Sequence, residues 1–178
     1  MMKVSNGDLD KLGLLFERYN RRLFGFFYRL THRRDISEDL VQGVFERILK
    51  YRQTYNGDGA FSTWIFQIAR NQHIDYYRKN SKTDSQDDFN EWDTVEYDDS
   101  DIKEKSEDEQ NRLLLKRALE YLDAEKKQAL ILSRYEGFKY REIAEIMDCT
   151  ENAVKVRVFR GINELKEIVT DLKKKEER

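Results

Sequence analysis

The 178-residue chain contains no proline, and this constrains its fold more than any other feature. Proline disrupts a helix interior at a cost of about 3 kcal/mol, so long uninterrupted helices are permitted throughout this chain. Leu, Lys, Glu and Arg, which favour helix, are abundant. We find no run of alternating Val, Ile and Thr bounded by hairpin turns. The sequence therefore predicts an all-α protein.

Three helices are predicted in the first part of the chain. Apolar residues recur at steps of three and four over residues 9–30 and again over residues 35–49. The glycine-containing stretch 55–59 predicts a turn, and a third helix is expected over 62–79 with Ser62 as its N-cap. Three helices of this length can close a small core. The expected inward face of the third helix comprises Ile65, Ile68, Ala69, Ile74 and Tyr77.

A strongly acidic segment follows, from Asp84 to Glu109. Thirteen of its residues are acidic and two are lysine, a local charge of about −11, so the rest of the chain carries about +9. Like-charge blocks of this kind stay extended. The segment is either a solvated spacer or an anionic segment that occupies a basic channel otherwise used by nucleic acid. The aromatic residues Phe89, Trp92 and Tyr97 favour the second interpretation, because a spacer has little need of them.

Two small helical domains joined by a flexible acidic linker are therefore expected. We place the first domain at residues 1–82, the linker at 83–107 and the second domain at 108–178. A chain of this length accommodates one ordinary domain or two small ones, and its aromatic fraction of 12% is sufficient for packed cores.

The second domain contains a segment with the spacing of a helix-turn-helix, YREIAEIMDCTENAVKVRVFRGINEL. Its first helix places the small residue Ala144 where the two helices must approach. The turn needs a residue that tolerates a left-handed backbone, and Asp148 can do so. Thr150 is placed to cap the second helix, whose free N-terminal amides can meet a phosphate. The buried stripe of that helix is expected at Val154, Val158, Ile162 and Leu165.

The outer face of the second helix carries side chains suited to DNA. Basic side chains neutralise phosphates or read guanine edges, Asn reads adenine, Glu accepts from cytosine, and Val contacts a thymine methyl. All of these types are present on this face. The predicted DNA-reading set is Thr150, Glu151, Asn152, Lys155, Val156, Arg157 and Arg160. The alternative is a helical hairpin with an ordinary charged exterior.

The composition argues against several classes of function. A single cysteine, Cys149, excludes a disulfide framework, and with only two histidines a thiolate metal site is disfavoured. No Gly-rich phosphate loop and no Ser or Cys nucleophile motif is present, so we expect neither an enzyme nor a bound metal or cofactor. His32 and His73 are expected to be surface or structural residues. The charged N-terminus is unlike a signal peptide or a membrane span, which predicts a cytoplasmic protein.

Three motifs, in one order, resemble those of the extracytoplasmic-function (group 4) sigma factors of bacterial RNA polymerase. The likeness covers residues 9–79 and 108–172, in the segments SEDLVQGVFERILKY, FSTWIFQIARNQHIDYYRK and YEGFKYREIAEIMDCTENAVKVRVFRG. In order, they resemble the family's polymerase-binding helix, its −10 recognition and strand-opening segment, and its −35 reader. The resemblance implies a region 2 bundle of three or four helices and a region 4 helix-turn-helix domain. It also implies an alternative sigma factor that directs RNA polymerase core to specific promoters.

The resemblance assigns a polymerase-binding face to the second helix. Asp39 and Gln42, three residues apart on a helix, project together, with Phe45 nearby. In the family this face grips the coiled coil of the polymerase largest subunit. Taken in isolation, Asp39 is an ordinary solvated helix residue, so this role depends on the resemblance.

The resemblance also assigns a −10 surface to the first domain. The loop 56–60 would form a pocket for a flipped-out base, because Gly57 and Gly59 let the backbone approach a ligand. Phe61 and Trp64 offer stacking surface, although either is alternatively a core residue. Basic side chains on the third helix form a strip suited to phosphates. The implied −10 set is Asn56, Gly57, Asp58, Phe61, Trp64, Arg70, Asn71, Arg78 and Lys79.

The partners that follow are RNA polymerase core and promoter DNA. Core would be bound through the clamp coiled coil and the flap, and the DNA as −10 single strand and −35 duplex. The family also implies an anti-sigma factor and no membrane insertion of this chain. The sequence departs from the family at Asp148, where Gly is usual, and at Gly43, where an acidic residue is common. The main rival is a DNA-binding regulator that does not dock on polymerase, but such a protein has no use for Asp39, Gln42 or a base pocket.

Overall fold

The computed structural model describes residues 1–80 and 106–176. These residues form helices and connecting turns and contain no strand, which confirms the all-α prediction. A first lobe consists of α1 (Met2–Ser5), α2 (Leu12–Thr31), α3 (Arg34–Tyr51) and α4 (Phe61–Asn80). A second lobe consists of α5 (Ser106–Glu120), α6 (Ala124–Leu130), α7 (Tyr140–Met147) and α8 (Glu151–Glu176). Short helical turns lie at Leu9–Lys11, Arg52–Thr54 and, with π-helical geometry, Ile131–Tyr135.

Most of the acidic segment lies outside the described residues. This includes Phe89, Trp92 and Tyr97, so docking of the segment on a partner stays a prediction. The described chain resumes at Ser106, where α5 begins.

Helices α2, α3 and α4 close a hydrophobic core, as the three amphipathic periodicities predict. Phe26 and Phe66, both fully buried, meet edge to face with ring centroids 5.4 Å apart. Helix α2 ends where His32 adopts a left-handed backbone with φ 55°, and the His32 N–H donates to the Tyr28 carbonyl. This sharp end turns the chain directly into α3.

Helix α4 differs from its prediction at both ends. Ser62 lies inside the first turn and is not the N-cap: the N–H groups of Thr63 and Trp64 donate to the Ala60 carbonyl instead. Tyr77 is 45% exposed, so it does not extend the inward face. The four-residue steps of that face run through Ala69 to His73, which is 7% exposed, and the Tyr77 ring lies at the helix end against His73.

The helix-turn-helix forms as predicted. Asp148 has a left-handed backbone with φ 51°, and the Thr150 hydroxyl accepts a hydrogen bond from the Ala153 N–H at 3.1 Å. At the start of α7, the Glu142 carboxylate accepts from the Lys139 N–H at 2.7 Å. The residues that hold the two helices together are buried or nearly so: Ile143, Ile146, Met147, Val154 and Val158.

The two lobes pack against each other. Phe66 of α4 and Phe138, just before α7, form an edge-to-face pair with centroids 5.0 Å apart. The buried Lys127 side chain of α6 donates to the Leu30 carbonyl at the end of α2, at 3.0 Å, and burial lowers the pKa of this lysine to about 8. These contacts lay α4, which carries the predicted −10 residues, against the second lobe.

Candidate functional site

The outer face of α8 presents most of the predicted DNA-reading set to solvent. The exposed members are Thr150, Glu151, Asn152, Lys155, Val156 and Arg160. Glu151 and Lys155 pair with each other at 3.0 Å, and both side chains are about half exposed. Such an exposed pair contributes only roughly 0.3–0.5 kcal/mol, so either partner is easily released to a ligand.

Phe159 also belongs to this face, although it is absent from the predicted DNA-reading set. Its side chain is 67% exposed, next to Val156, which is 46% exposed. The signal was present, because Phe159 lies three residues after Val156 and one before Arg160. An exposed phenyl ring offers apolar contact for a thymine methyl group.

Arg157 is the member of the set that the structure does not place on the outer face. Its side chain is only 22% exposed and pairs with Glu125 of α6 at 2.6 Å. The guanidinium also contacts the Cys149 sulfur at 2.9 Å. Because Arg157 precedes the buried Val158, it lies at the edge of the packed face, where an acidic neighbour holds it.

A cavity of about 310 Å³ opens on the first lobe between the end of α3 and the middle of α4. This volume lies at the lower end of the range of about 300–1,000 Å³ that is usual for small-molecule pockets. Trp64 and Asn71 from the predicted −10 set line it. The other lining residues, which the sequence analysis missed, are Arg47, Tyr51, Thr54 and Ile68.

Helical spacing groups the cavity residues within each helix, but it does not show that α3 and α4 meet around a cavity. Arg47 and Tyr51 lie four apart on α3, and Ile68 lies four residues after Trp64 and three before Asn71 on α4. Arg47 is oriented by Asp75, whose carboxylate it meets at 2.8 Å. The same carboxylate holds Arg78 at 3.1 Å, so two cations near the cavity share one acidic partner.

The predicted loop 56–60 is exposed and lies in the chain between Thr54 and Trp64, which line this cavity. Gly57 and Gly59 have φ values of 88° and 98°, which L side chains rarely adopt, so glycine is required for this course of the backbone. Within the loop, the Asn56 side chain accepts from the Asp58 N–H at 3.0 Å and donates to the Asp58 carboxylate at 2.6 Å. Phe61, the residue that follows the loop, is partly buried.

Arg70 is covered by the second lobe, in contrast to the predicted exposed strip. Its Nε donates to the Gln128 side chain of α6 at 3.0 Å, and burial lowers its pKa below the usual value. Lys79 and Arg78 of the same strip are exposed at the end of α4. The strip is therefore divided into a solvent-facing end and a part that the second lobe partly covers.

The predicted polymerase-binding face is exposed in part. Asp39 and Gln42 both reach solvent on α3. Phe45 does not: it is 7% exposed, because its ring packs 5.0 Å from that of Phe16 on α2. Phe16 is 46% exposed and is the aromatic residue that this region presents to solvent.

The described residues also bear on membrane spans and metal sites. None of their helices is both long and apolar enough to cross a membrane. No group of three or more His, Cys, Asp or Glu side chains among them is arranged to hold a metal ion.

Two family models match the chain. Residues 15–83 match Sigma-70 region 2, and residues 112–165 match Sigma-70, region 4. The ECF RNA polymerase sigma-E factor of Haemophilus influenzae is 31% identical over 167 residues, which cover 89% of this chain and 87% of that protein. The RNA polymerase sigma factor CarQ of Myxococcus xanthus is 29% identical over 175 residues, 97% of each chain.

Two solved structures share the fold. The sigma factor RpoE of Bartonella quintana, solved with the anti-sigma factor NepR, has a TM-score of 0.68 at 24% identity and covers 89% of this chain and 96% of its own. CnrH, solved with the cytosolic domain of CnrY, has a TM-score of 0.71 at 19% identity and covers 96% and 94%. Region 2 thus corresponds to the first lobe and region 4 to the second. The chain belongs to the sigma-70 family of RNA polymerase sigma factors, in its extracytoplasmic-function group.

Proposed function

We propose that this chain is an alternative sigma factor whose region 4 lobe reads a −35 duplex and whose region 2 lobe captures unpaired −10 bases. The observation that supports this most strongly is the outer face of α8, where exposed polar, basic and apolar side chains lie opposite a buried stripe. The names of the relatives agree with this function. The reaction itself, synthesis of RNA, belongs to the polymerase.

The −35 duplex is read by α8. A helix-turn-helix places its second helix in the major groove by the N-terminal half. Asn152 and Lys155 then reach base edges or phosphates, while Val156 and Phe159 supply an apolar patch for thymine methyls. The free N–H groups that follow the Thr150 cap meet a phosphate.

The −10 base is held in the cavity between α3 and α4. Trp64 and Tyr51 supply aromatic surface for the face of an unstacked base, and the Asn71 amide and Thr54 hydroxyl meet its edge. Arg47, held in place by Asp75, adds fixed donors. Extruding a base costs a few kcal/mol, which these contacts must offset.

Polymerase core binds the face of α3 that carries Asp39 and Gln42. Phe16, exposed on the neighbouring helix, extends the same surface with an aromatic ring. The second protein partner is an anti-sigma factor, as for the structural relative RpoE, which was solved bound to the anti-sigma factor NepR.

Run-off transcription with core polymerase on genomic fragments tests the proposal. We expect discrete, promoter-specific transcripts that core alone does not make. A variant with Asp39→Ala and Gln42→Ala should lose them while still binding duplex DNA. Binding of specific duplex DNA with no transcript from any fragment would instead identify a DNA-binding regulator and reject the sigma factor.

A further inference from the structure

The short N-terminal helix α1 packs on the turn Arg52–Thr54 and on the loop after it, and Thr54 of that turn lines the cavity in the first lobe. Val4 at its centre is completely buried. The Ser5 hydroxyl donates to the backbone carbonyl of Tyr55 at 3.4 Å, and Met2 lies beside Gly57. A Cβ built on Gly57 would be 3.3 Å from the Met2 sulfur. Helix α1 therefore touches the loop that follows the turn Arg52–Thr54 at two separate points.

Tyr55 connects α1 to the cavity. Its backbone is held by Ser5, and its ring contacts Phe61 and Trp64, with centroids 5.6 and 5.2 Å away. Its hydroxyl donates to the Gly59 carbonyl at 3.5 Å, across the loop. Trp64 lines the cavity directly, and so does Thr54, the residue before Tyr55. Tyr55 therefore links the turn at Thr54 to the Trp64 ring of α4.

The loop needs such external support. Residues 56–60 are all exposed, and two of them are glycines, which lose the most backbone freedom when they are held in one conformation. A binding site that is ordered before its ligand arrives binds more tightly, because the ordering cost does not fall on the complex. Contacts from α1 are placed to supply that order.

We propose that α1 is a positioning element for −10 base capture: it holds Tyr55 and the loop 56–60 so that Trp64 and Thr54 face an incoming base. This inference rests on the proposed function. The residues that act are Val4, which anchors α1, and Ser5, which fixes Tyr55. Neither residue lines the cavity, so both act through Tyr55 and not on the base.

The test uses holoenzyme and a forked promoter DNA with 2-aminopurine in an unpaired −10 strand, whose fluorescence reports capture. Ser5→Ala removes the hydrogen bond to Tyr55, and Val4→Ser removes the anchor of α1. We expect capture to weaken by roughly tenfold with Val4→Ser, which corresponds to about 1.4 kcal/mol, and by a smaller factor with Ser5→Ala. Val4→Ile should retain capture, since the anchor of α1 stays apolar.

Lys3→Ala, on the exposed side of the same helix, is the matched control and should leave capture unchanged. Affinity for a −35 duplex and for core should be the same in all variants, which separates positioning from loss of fold. Ser5→Ala removes one part-buried hydrogen bond and keeps the chain folded even where Val4→Ser does not.

Unchanged −10 capture in Ser5→Ala and in a folded Val4→Ser would overturn the inference. An equal loss of −10 and −35 binding would also overturn it, since α1 would then support only the fold. If wild-type holoenzyme itself captures no base, the proposed function fails first. The two failures are therefore distinguished by the wild-type arm.

Discussion

His73 is a buried polar residue whose protonated form is disfavoured in the folded protein. It is 7% exposed, and neither ring nitrogen has a hydrogen-bond partner among the described residues. Burial, with the nearby charges of Lys127 and Arg70, lowers its pKa from 6.5 to about 4. The Tyr77 ring lies against it at 4.7 Å. The sequence predicts a surface or structural residue, and this position is structural. The depth at which His73 is buried depends on packing by the second lobe, which the sequence does not show.

Stability should fall as pH drops from 6.5 to 4, because the unfolded chain binds a proton at His73 that the folded chain does not. The full effect is on the order of 3 kcal/mol. His73→Leu should remove this part of the slope and leave stability at pH 7 unchanged or higher. Urea unfolding at pH 7 and pH 5 measures it. His32, whose pKa is lowered to about 3, should keep its own contribution in the variant; an unaltered total slope would contradict the assignment.

Gly43 has a packing reason that the sequence could not show. A Cβ at this position would overlap the Gln72 side-chain amide on α4. The Gln72 side-chain oxygen Oε1 is buried and has no hydrogen-bond partner among the described residues. The sequence indicated only the cost of glycine inside a helix, about 1 kcal/mol. Because α3 and α4 approach each other closely at this point, little room is left for a side chain at position 43.

Gly43→Ala should therefore stabilise the protein most when Gln72 is shortened. In the background of Gln72→Ala, we expect Gly43→Ala to raise the unfolding free energy by about 1 kcal/mol. In the wild-type background the same change should gain less or destabilise. A double-mutant cycle by urea unfolding gives the coupling, and strict additivity would exclude the proposed overlap.

At the scale of elements, the helix-turn-helix was predictable because its signals are local. The left-handed Asp148, the Thr150 cap and the buried stripe each follow from residue type and spacing within one segment. The cavity was not predictable in the same way. Its residues come from α3, α4 and the turn Arg52–Thr54, and only the packing of these elements brings them together. Ser62 was assigned the wrong role because the backbone of Ala60 accepts the bonds that a cap would take.

Asp148→Gly should stabilise the helix-turn-helix. A side chain in the left-handed region costs roughly 1–2 kcal/mol for most residues and less for Asp, so we expect a gain of up to about 1 kcal/mol. Thermal unfolding measures it. Thr150→Ala, which removes the cap, is the opposite control and should cost about 1 kcal/mol. A lower melting temperature for Asp148→Gly would show that the aspartate side chain contributes a contact of its own.

In the whole molecule, the packing of the two lobes against each other could not be predicted from the sequence. Arg22 of α2 lies against the rings of Phe66 and Phe138, at 5.2 and 5.7 Å from their centroids. It also donates to the Glu136 carboxylate at 3.2 Å and to the Glu136 carbonyl at 3.1 Å. Arg22 and Glu136 are 114 residues apart along the chain, so no local sequence pattern predicts their contact. The same packing covers Arg70.

Arg22→Ala should loosen the contact between the lobes. The Glu136 side chain is only 5% exposed and would lose its cation, but Arg22 is 41% exposed, so the expected cost is about 1–2 kcal/mol. Hydrogen exchange of α4 and α7 should accelerate, and Arg70 should become available to DNA. Arg18→Ala is the control, since Arg18 contacts Tyr19 within the first lobe. Equal exchange in both variants would mean that Arg22 does not hold the lobes together.

The proposed function requires that two promoter readers on one chain act together through polymerase. It is tested most directly by mapping a transcription start with holoenzyme and then replacing the −35 and −10 elements of that promoter, singly and together. We predict that either replacement abolishes the transcript and that core alone never produces it. A transcript that survives replacement of both elements would contradict the account.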